Sequence, residues 1–201
     1  MAKKATEIII ASSNAGKIHE ITTACAMMGI KWLTRADFKD WPEIEESETT
    51  FEGNARKKAE TLAVYFNKMA LADDSGLEVD RLNGDPGIMS ARFSGPDSTA
   101  ETNNAKLLAL LDGTPYEQRT AKFTCVMVLA GPAGTIETAE GSVFGHIVMK
   151  PSGEKGFGYD PLFIPKGFDR TMAELSVDEK NKISHRGRAL REIVLAILAE
   201  A

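Results

Sequence analysis

The strongest constraint on this chain is a change of hydrophobic period within its first thirty residues. Glu7-Ile8-Ile9-Ile10 is a β-branched run, Ser12-Ser13-Asn14 is polar, and Ile18, Ile21, Cys25 and Met28 then recur at the spacing of one helix face. Strand, loop and helix in that order open an α/β fold. Gly29 sits where a helix-ending glycine belongs, and Lys31 to Thr34 predicts a second short strand. An acidic, Pro-containing loop follows, with Asp40, Glu43, Glu45, Glu46 and Glu48. Thr49-x-x-Glu52 reads as a capping box for a helix whose apolar stripe runs Phe51, Ala55, Ala59, Leu62, Ala63, Phe66 and Met69. Lys58 projects within roughly a quarter-turn of the centre of that stripe, a charge on the apolar side. Met69 to Ala72 predicts a short buried strand ending in Asp73-Asp74-Ser75-Gly76, with another strand at Leu77 to Val79, so the two carboxylates are expected at a strand end. Ser98-x-x-Glu101 is expected to cap a helix carrying Leu107, Leu108, Leu110 and Leu111. Thr120 to Ala130 and Ile136 to Met149 read as an antiparallel pair turning at Gly131-Pro132-Ala133-Gly134. Leu190, Ile193, Val194, Ile197 and Leu198 form the stripe of a final helix. The class is α/β with a mixed, twisted sheet and flanking helices.

At 201 residues and 43% hydrophobic, with no repeat, linker or low-complexity tract, the chain is expected to form one domain over 1–201. Twenty-four Lys and Arg against 29 Asp and Glu leave a net charge of −5 and no broad basic field, which argues against polymeric nucleic acid as a partner. The two cysteines, Cys25 and Cys125, lie in separate apolar runs without a Cys-x-x-Cys pair, so a disulfide framework and a thiolate metal site are not expected. No signal-like or membrane-length apolar stretch occurs, and the expectation is a cytoplasmic protein without a membrane anchor.

Four constellations carry chemistry. Ser12-Ser13-Asn14-Ala15-Gly16-Lys17 joins a strand to a helix, where unpaired backbone N–H groups and Lys17 would hold a phosphate. It is not a Walker loop, because the first glycine is missing and Ile18 replaces the Ser/Thr. Asp73-Asp74 point to opposite faces of their strand, so one can enter a cleft while the other is held in place. With Glu45 or Glu46 nearby they offer hard oxygen ligands for Mg²⁺. Lys58 either snorkels to solvent or reaches carboxylates and phosphates. Gly156-Phe157-Gly158-Tyr159-Asp160 supplies a stacking face and an acceptor, and Ser184-His185-Arg186 lies in a basic island of Lys180, Lys182, Arg186, Arg188 and Arg191. Together these equip a chain for a nucleoside triphosphate. A non-catalytic nucleotide-binding protein and a triphosphatase releasing orthophosphate remain open on the same residues.

In Ser12 to Lys17, Ala72-Asp73-Asp74-Ser75-Gly76-Leu77, Pro86-Gly87-Ile88, Ser90-Ala91-Arg92, Phe157-Gly158-Tyr159-Asp160-Pro161 and Ser184-His185-Arg186, the chain resembles the inosine/xanthosine triphosphate pyrophosphatases. The resemblance spans residues 12 to 186, with Ser13 and Met89 standing where many members have glycine and tyrosine. It implies two lobes around a central sheet with the active-site cleft between them, hydrolysis of ITP, dITP and XTP to the monophosphate and pyrophosphate, and a homodimer. It also implies residue roles. Asp74, Lys17, Lys58 and Asp73 would be catalytic, with Asp74 as general base and the lysines neutralising the triphosphate. Glu45 with Asp74 would hold Mg²⁺, Glu46 being the alternative. Ser12, Ser13, Asn14, Ala15, Gly16, Lys17 and Ser75 would face the phosphates. Phe157, Gly158, Tyr159, Asp160, Lys180, His185 and Arg186 would form the nucleoside pocket, Phe157 by stacking and His185 with Arg186 by donating to the 6-oxo group.

Overall fold

The computed structural model describes residues 6–200. One six-stranded sheet, ordered β2-β1-β3-β4-β5-β6, organises them. β1 (Glu7–Ile10) is flanked in parallel by β2 (Lys31–Leu33) and β3 (Met69–Val79), connected through α1 (Ala15–Ala24) and α2 (Phe51–Phe66). β4 (Thr120–Gly131), β5 (Gly134–Ile147) and the short β6 (Phe163–Pro165) complete the sheet antiparallel. The mixed sheet expected from the period changes is therefore present, and the hairpin turns at Gly131 and Gly134.

Three details differ from the sequence expectation. Asp73-Asp74-Ser75-Gly76 does not end a strand; it lies inside the single continuous β3, where all four residues pair with β4. The turn-forming chemistry of Asp-Asp-Ser-Gly is overridden because β4 pairs with each of these residues and fixes that backbone. Both helix caps fall one residue later than predicted: Thr50 accepts from the Gly53 N–H to start α2, and Thr99 exchanges bonds with Thr102 to start α3 (Ala100–Leu110). Glu52 does not reach back to the cap but pairs with Arg56 one turn on. Finally, α1 stops at Ala24, so Gly29, at φ +66°, serves the following turn.

Three apolar clusters hold the layers. Ile8, Ile10, Leu71 and Met127 pack under α1 and α5 (His185–Glu200) through Ile21, Ile193 and Ile197. Ile9, Ala70 and Val128 face Ala55, Ala59 and Leu62 of α2 on the other side. Leu77, Phe123 and Val143, at the far ends of the long strands, pack with Leu107, Leu162 and Phe163 into a distal lobe. A cleft of about 900 Å³ opens between that lobe and the parallel end of the sheet. Among the described residues no helix is long and apolar enough to cross a membrane.

Candidate active site

The phosphate-side loop is built as its sequence suggests. Asn14 caps α1, its side-chain oxygen accepting from the Lys17 N–H at 3.1 Å, and Ser12 accepts from the Asn14 N–H at 3.1 Å. Ser12, Ser13, Asn14 and Lys17 line the cleft. The Lys17 ammonium meets Asp73 Oδ2 at 3.0 Å.

Alternation along β3 divides the acidic pair. Asp73 turns toward α1 and α5, is fully buried, and accepts from Arg186 Nη2 at 3.0 Å as well as pairing with Lys17. Burial opposes its ionisation, but Lys17, Arg186 and Lys58 outweigh that and hold its carboxyl far below the ordinary range. Asp73 does not line the cleft; it anchors two cations beneath the floor, the held member of the pair that strand alternation divides.

Asp74 turns the other way, into the cleft, toward α2. Asn54 Nδ2 donates to its Oδ2 at 3.0 Å, and Lys58 Nζ stands 3.9 Å from its Oδ1. Burial raises its pKa, and the Glu46 carboxylate adds to that against the lowering charges of Lys58 and Lys17. A basic carboxylate in a cleft is the arrangement that accepts protons. Lys58 does not snorkel. Its Nζ donates to Glu46 at 2.6 Å and to the Asp73 carbonyl at 2.8 Å, and although burial works against its charge, Asp73, Asp74 and Glu46 hold its pKa up.

Of the two glutamates offered for a metal, Glu46 is the one brought to Lys58 and coupled to Asp74, whereas Glu45 lines the cleft as an exposed side chain. No group of three or more His, Cys, Asp or Glu converges among the described residues. The donor set is thus one or two carboxylates with space beside them. That fits a hard cation which keeps waters and takes phosphate oxygens.

The nucleoside end is a buried ionic network. Lys180, on α4 (Val177–Ile183), pairs with Asp160 and, at 2.6 Å, with Glu20. Glu20 takes Arg186 Nη1 at 2.6 Å. Burial pushes the Asp160 carboxyl up despite Lys180 and the Phe157 N–H that it accepts at 2.8 Å. Arg186 makes four hydrogen bonds, to Asp73 from Nε and Nη2, to Ser75 from Nη2 and to Glu20 from Nη1, so one of its five N–H donors is left over. His185 stacks on Phe123 with centroids 4.8 Å apart; burial, then Arg186 and Lys180, hold it neutral. Its Nδ1 is buried without a partner. Lys180 Nζ lies 4.7 Å from the Phe157 centroid. Phe157, Gly158, Tyr159, Asp160, Lys180, His185 and Arg186 all line the cleft, while Ala15 and Gly16 do not. The basic island separates: Lys180 and Arg186 go inside, and Lys182, Arg188 and Arg191 stay exposed.

Two site residues were missed. Glu20 sits beside Ile21 on α1's buried side, and Asn54 lies one turn before Lys58 on α2. Neither lies as near the centre of its helix's apolar stripe as Lys58 does, so helical period alone does not mark them.

Fold and site together define an α/β protein with a charge-lined cleft at the carboxyl ends of its parallel strands. The model of the Ham1 family matches residues 8–196, and the chain belongs to that family. It is 47% identical over 186 residues to a dITP/XTP pyrophosphatase of Desulforamulus reducens, covering 92% of each chain. It is 48% identical over 187 residues to the dITP/XTP pyrophosphatase of Bacillus subtilis, covering 93% of this chain and 94% of that one. Among solved structures it is similar to the Staphylococcus aureus Ham1 protein, with TM-score 0.84, 41% identity and coverage of 98% and 100%.

Proposed function

We propose that this chain hydrolyses non-standard purine nucleoside triphosphates (ITP, dITP and XTP) to the monophosphate and pyrophosphate. The observation that carries the reading is the division of the acidic pair. One carboxylate is locked under two cations, and its neighbour is raised in pKa and aimed into the cleft beside Lys58. Relatives sharing nearly half their residues bear the name dITP/XTP pyrophosphatase.

In this reading Asp74 accepts a proton from the water that attacks the α-phosphorus, while the bridging bond to the β-phosphorus breaks. Lys17 and Lys58 offset charge on the departing pyrophosphate, and Asn54 fixes the Asp74 carboxylate. Asp74 and Glu46 would hold Mg²⁺, which supplies Lewis-acid neutralisation of the phosphates. Phe157 gives the base a stacking face. The spare Arg186 donor and the unpartnered His185 ring suit a 6-oxo purine, whereas adenine's amino group would leave buried donors facing a donor.

A cytoplasmic place and a homodimer belong to the same proposal. Free, buried Cys25 and Cys125 suit a reducing compartment, and exposed Phe144, Leu195 and Leu198 give apolar surface for a second copy.

The test is incubation with ITP, XTP, dITP, ATP and GTP in Mg²⁺, with pyrophosphate and orthophosphate resolved by chromatography. ITP or XTP should give pyrophosphate at rates far above ATP, and Asp74→Asn should abolish turnover while nucleotide still binds. Orthophosphate as the product, or full activity in Asp74→Asn, overturns the mechanism.

A further inference from the structure

The loop carrying Phe157 is held from both sides of the cleft. On one side the Phe157 ring is seated against Gly16 in the first turn of α1, so closely that a Cβ at that glycine would fall well inside contact distance of the ring. On the other side two bonds come from the distal lobe. Tyr159 Oη donates to the Ser90 carbonyl at 2.9 Å, and Asn104 Nδ2 donates to the Gly158 carbonyl at 3.1 Å.

Asn104 and its neighbour Asn103 do different work from adjacent positions on α3. Asn103 is buried within its own lobe, accepting from the Ser94 N–H and donating to the Ser90 and Ala91 carbonyls. Asn104 reaches 54 residues along the chain to the Gly158 carbonyl, one residue past the stacking Phe157. Its own Oδ1 is buried without a partner, a desolvation cost that opposes a purely stabilising role. It does not line the cleft, so it touches no substrate.

We propose that Asn104 is a positioning residue for base recognition: its amide N–H holds the Gly158 carbonyl and thereby sets the plane of the Phe157 ring. The inference rests on the reading of Phe157 as the base's stacking face. Gly158 adopts φ +60°, a conformation that glycine tolerates, and its carbonyl accepts from the Asn104 amide, while Phe157 itself is tied by its N–H and carbonyl to Asp160. Loss of one such bond is expected to act on substrate affinity rather than on the chemistry at Asp74.

Two variants separate this from a bulk structural role: Asn104→Ala and the isosteric Asn104→Asp, which turns an acceptor toward the carbonyl. Steady-state kinetics with ITP and Mg²⁺, inhibition by inorganic pyrophosphate, calorimetric Kd for ITP and thermal melting are measured on each. In Asn104→Ala, KM and Kd for ITP should rise roughly two- to ten-fold, the loss of one hydrogen bond. In the same variant kcat and pyrophosphate inhibition should stay within about two-fold, and Tm should hardly move. Asn104→Asp should be worse than Asn104→Ala. Unchanged affinity in Asn104→Ala, wild-type affinity in Asn104→Asp, or parallel loss of Tm, kcat and pyrophosphate binding overturns the proposal. Failure of the hydrolytic reading looks different: the parent chain then releases no pyrophosphate from ITP, and the Kd comparison still decides the role of Asn104. A parent chain that does not bind ITP at all overturns both.

Discussion

Glu20→Ala removes the centre of the buried ionic network and tests whether that network is as closed as its geometry. Three carboxylates, Glu20, Asp73 and Asp160, balance three cations, Lys17, Lys180 and Arg186, with Lys180 and Arg186 meeting on Glu20 at 2.6 Å each. The substitution leaves one uncompensated positive charge among side chains that are 4% exposed or less, Lys17 excepted at 14%. Breaking a buried pair on one side typically costs about 3–5 kcal/mol. For a domain of this size each kcal/mol moves Tm by about 2–4 °C, so the drop should lie at roughly 6–20 °C. The assay is thermal unfolding by circular dichroism at pH 7.5, with the exposed Glu192→Ala as a control expected within about 2 °C of the parent. The pH dependence has a definite sign. Burial opposes ionisation of Glu20, but Arg186 and Lys180 outweigh it and lower its pKa from 4.5. Its contribution is therefore complete above pH 4.5 and is lost as pH falls through the folded value. The gap between the parent and Glu20→Gln should accordingly close on acidification below 4.5. A Tm drop under about 2 °C for Glu20→Ala would refute the closed network, since only solvated charges can be deleted at so small a cost.

Two further outcomes follow from the packing around this network. Gly141 on β5 lies so close to the His185 carbonyl and the Ala189 N–H that Gly141→Ala must push α5 off the sheet; a cost of about 1–3 kcal/mol should lower Tm by about 2–12 °C and raise KM for ITP, because α5 carries His185 and Arg186, and an unshifted Tm contradicts the contact. His185 is held neutral by burial and by Arg186 and Lys180, so the unfolded chain binds a proton there that the folded chain does not. Stability should fall as pH drops below about 6.5, and urea unfolding at pH 7.5 and 5.5 should show a smaller fall in His185→Gln than in the parent.

Much of the fold was legible because it follows from local period. The β-branched run at Ile8 to Ile10, the helix stripe of Phe51 to Phe66 and the hairpin at Gly131 and Gly134 each carry their own pattern, and each forms as read. What failed was whatever a neighbour decides. Asp-Asp-Ser-Gly resembles a turn in isolation, yet ten residues of β3 pair with β4 straight through it. The caps at Thr50 and Thr99 slipped by one because threonine or serine stands at both adjacent positions in each case, and backbone geometry alone chooses between them. β6 and α4 were not foreseen: three and seven residues are too short to show a period. In the site, residue types were legible but not their allegiances. Glu20 is 166 residues from Arg186, and no local rule joins them.

The Asp73-Asp74 dipeptide explains why a chain with net charge −5 can still gather cations around one small polyanion. Strand alternation sends two identical side chains into opposite environments, and the environments set their chemistry. Below the sheet, Asp73 pairs with Lys17 and Arg186, stays ionised with Lys58 adding its charge from the other face, and holds Lys17 and Arg186 in fixed positions. Above it, Asp74 is desolvated next to Glu46 and has the higher proton affinity. A register slip of one residue would turn each side chain to the opposite face and shift the cleft-facing carboxylate along the strand, away from Asn54 and Lys58. The long β3–β4 ladder, unbroken from Ala70↔Ala130 to Val79↔Ala121, is what excludes that slip. The strand pairing therefore belongs to the catalytic apparatus proposed for this chain as much as the carboxylate it displays.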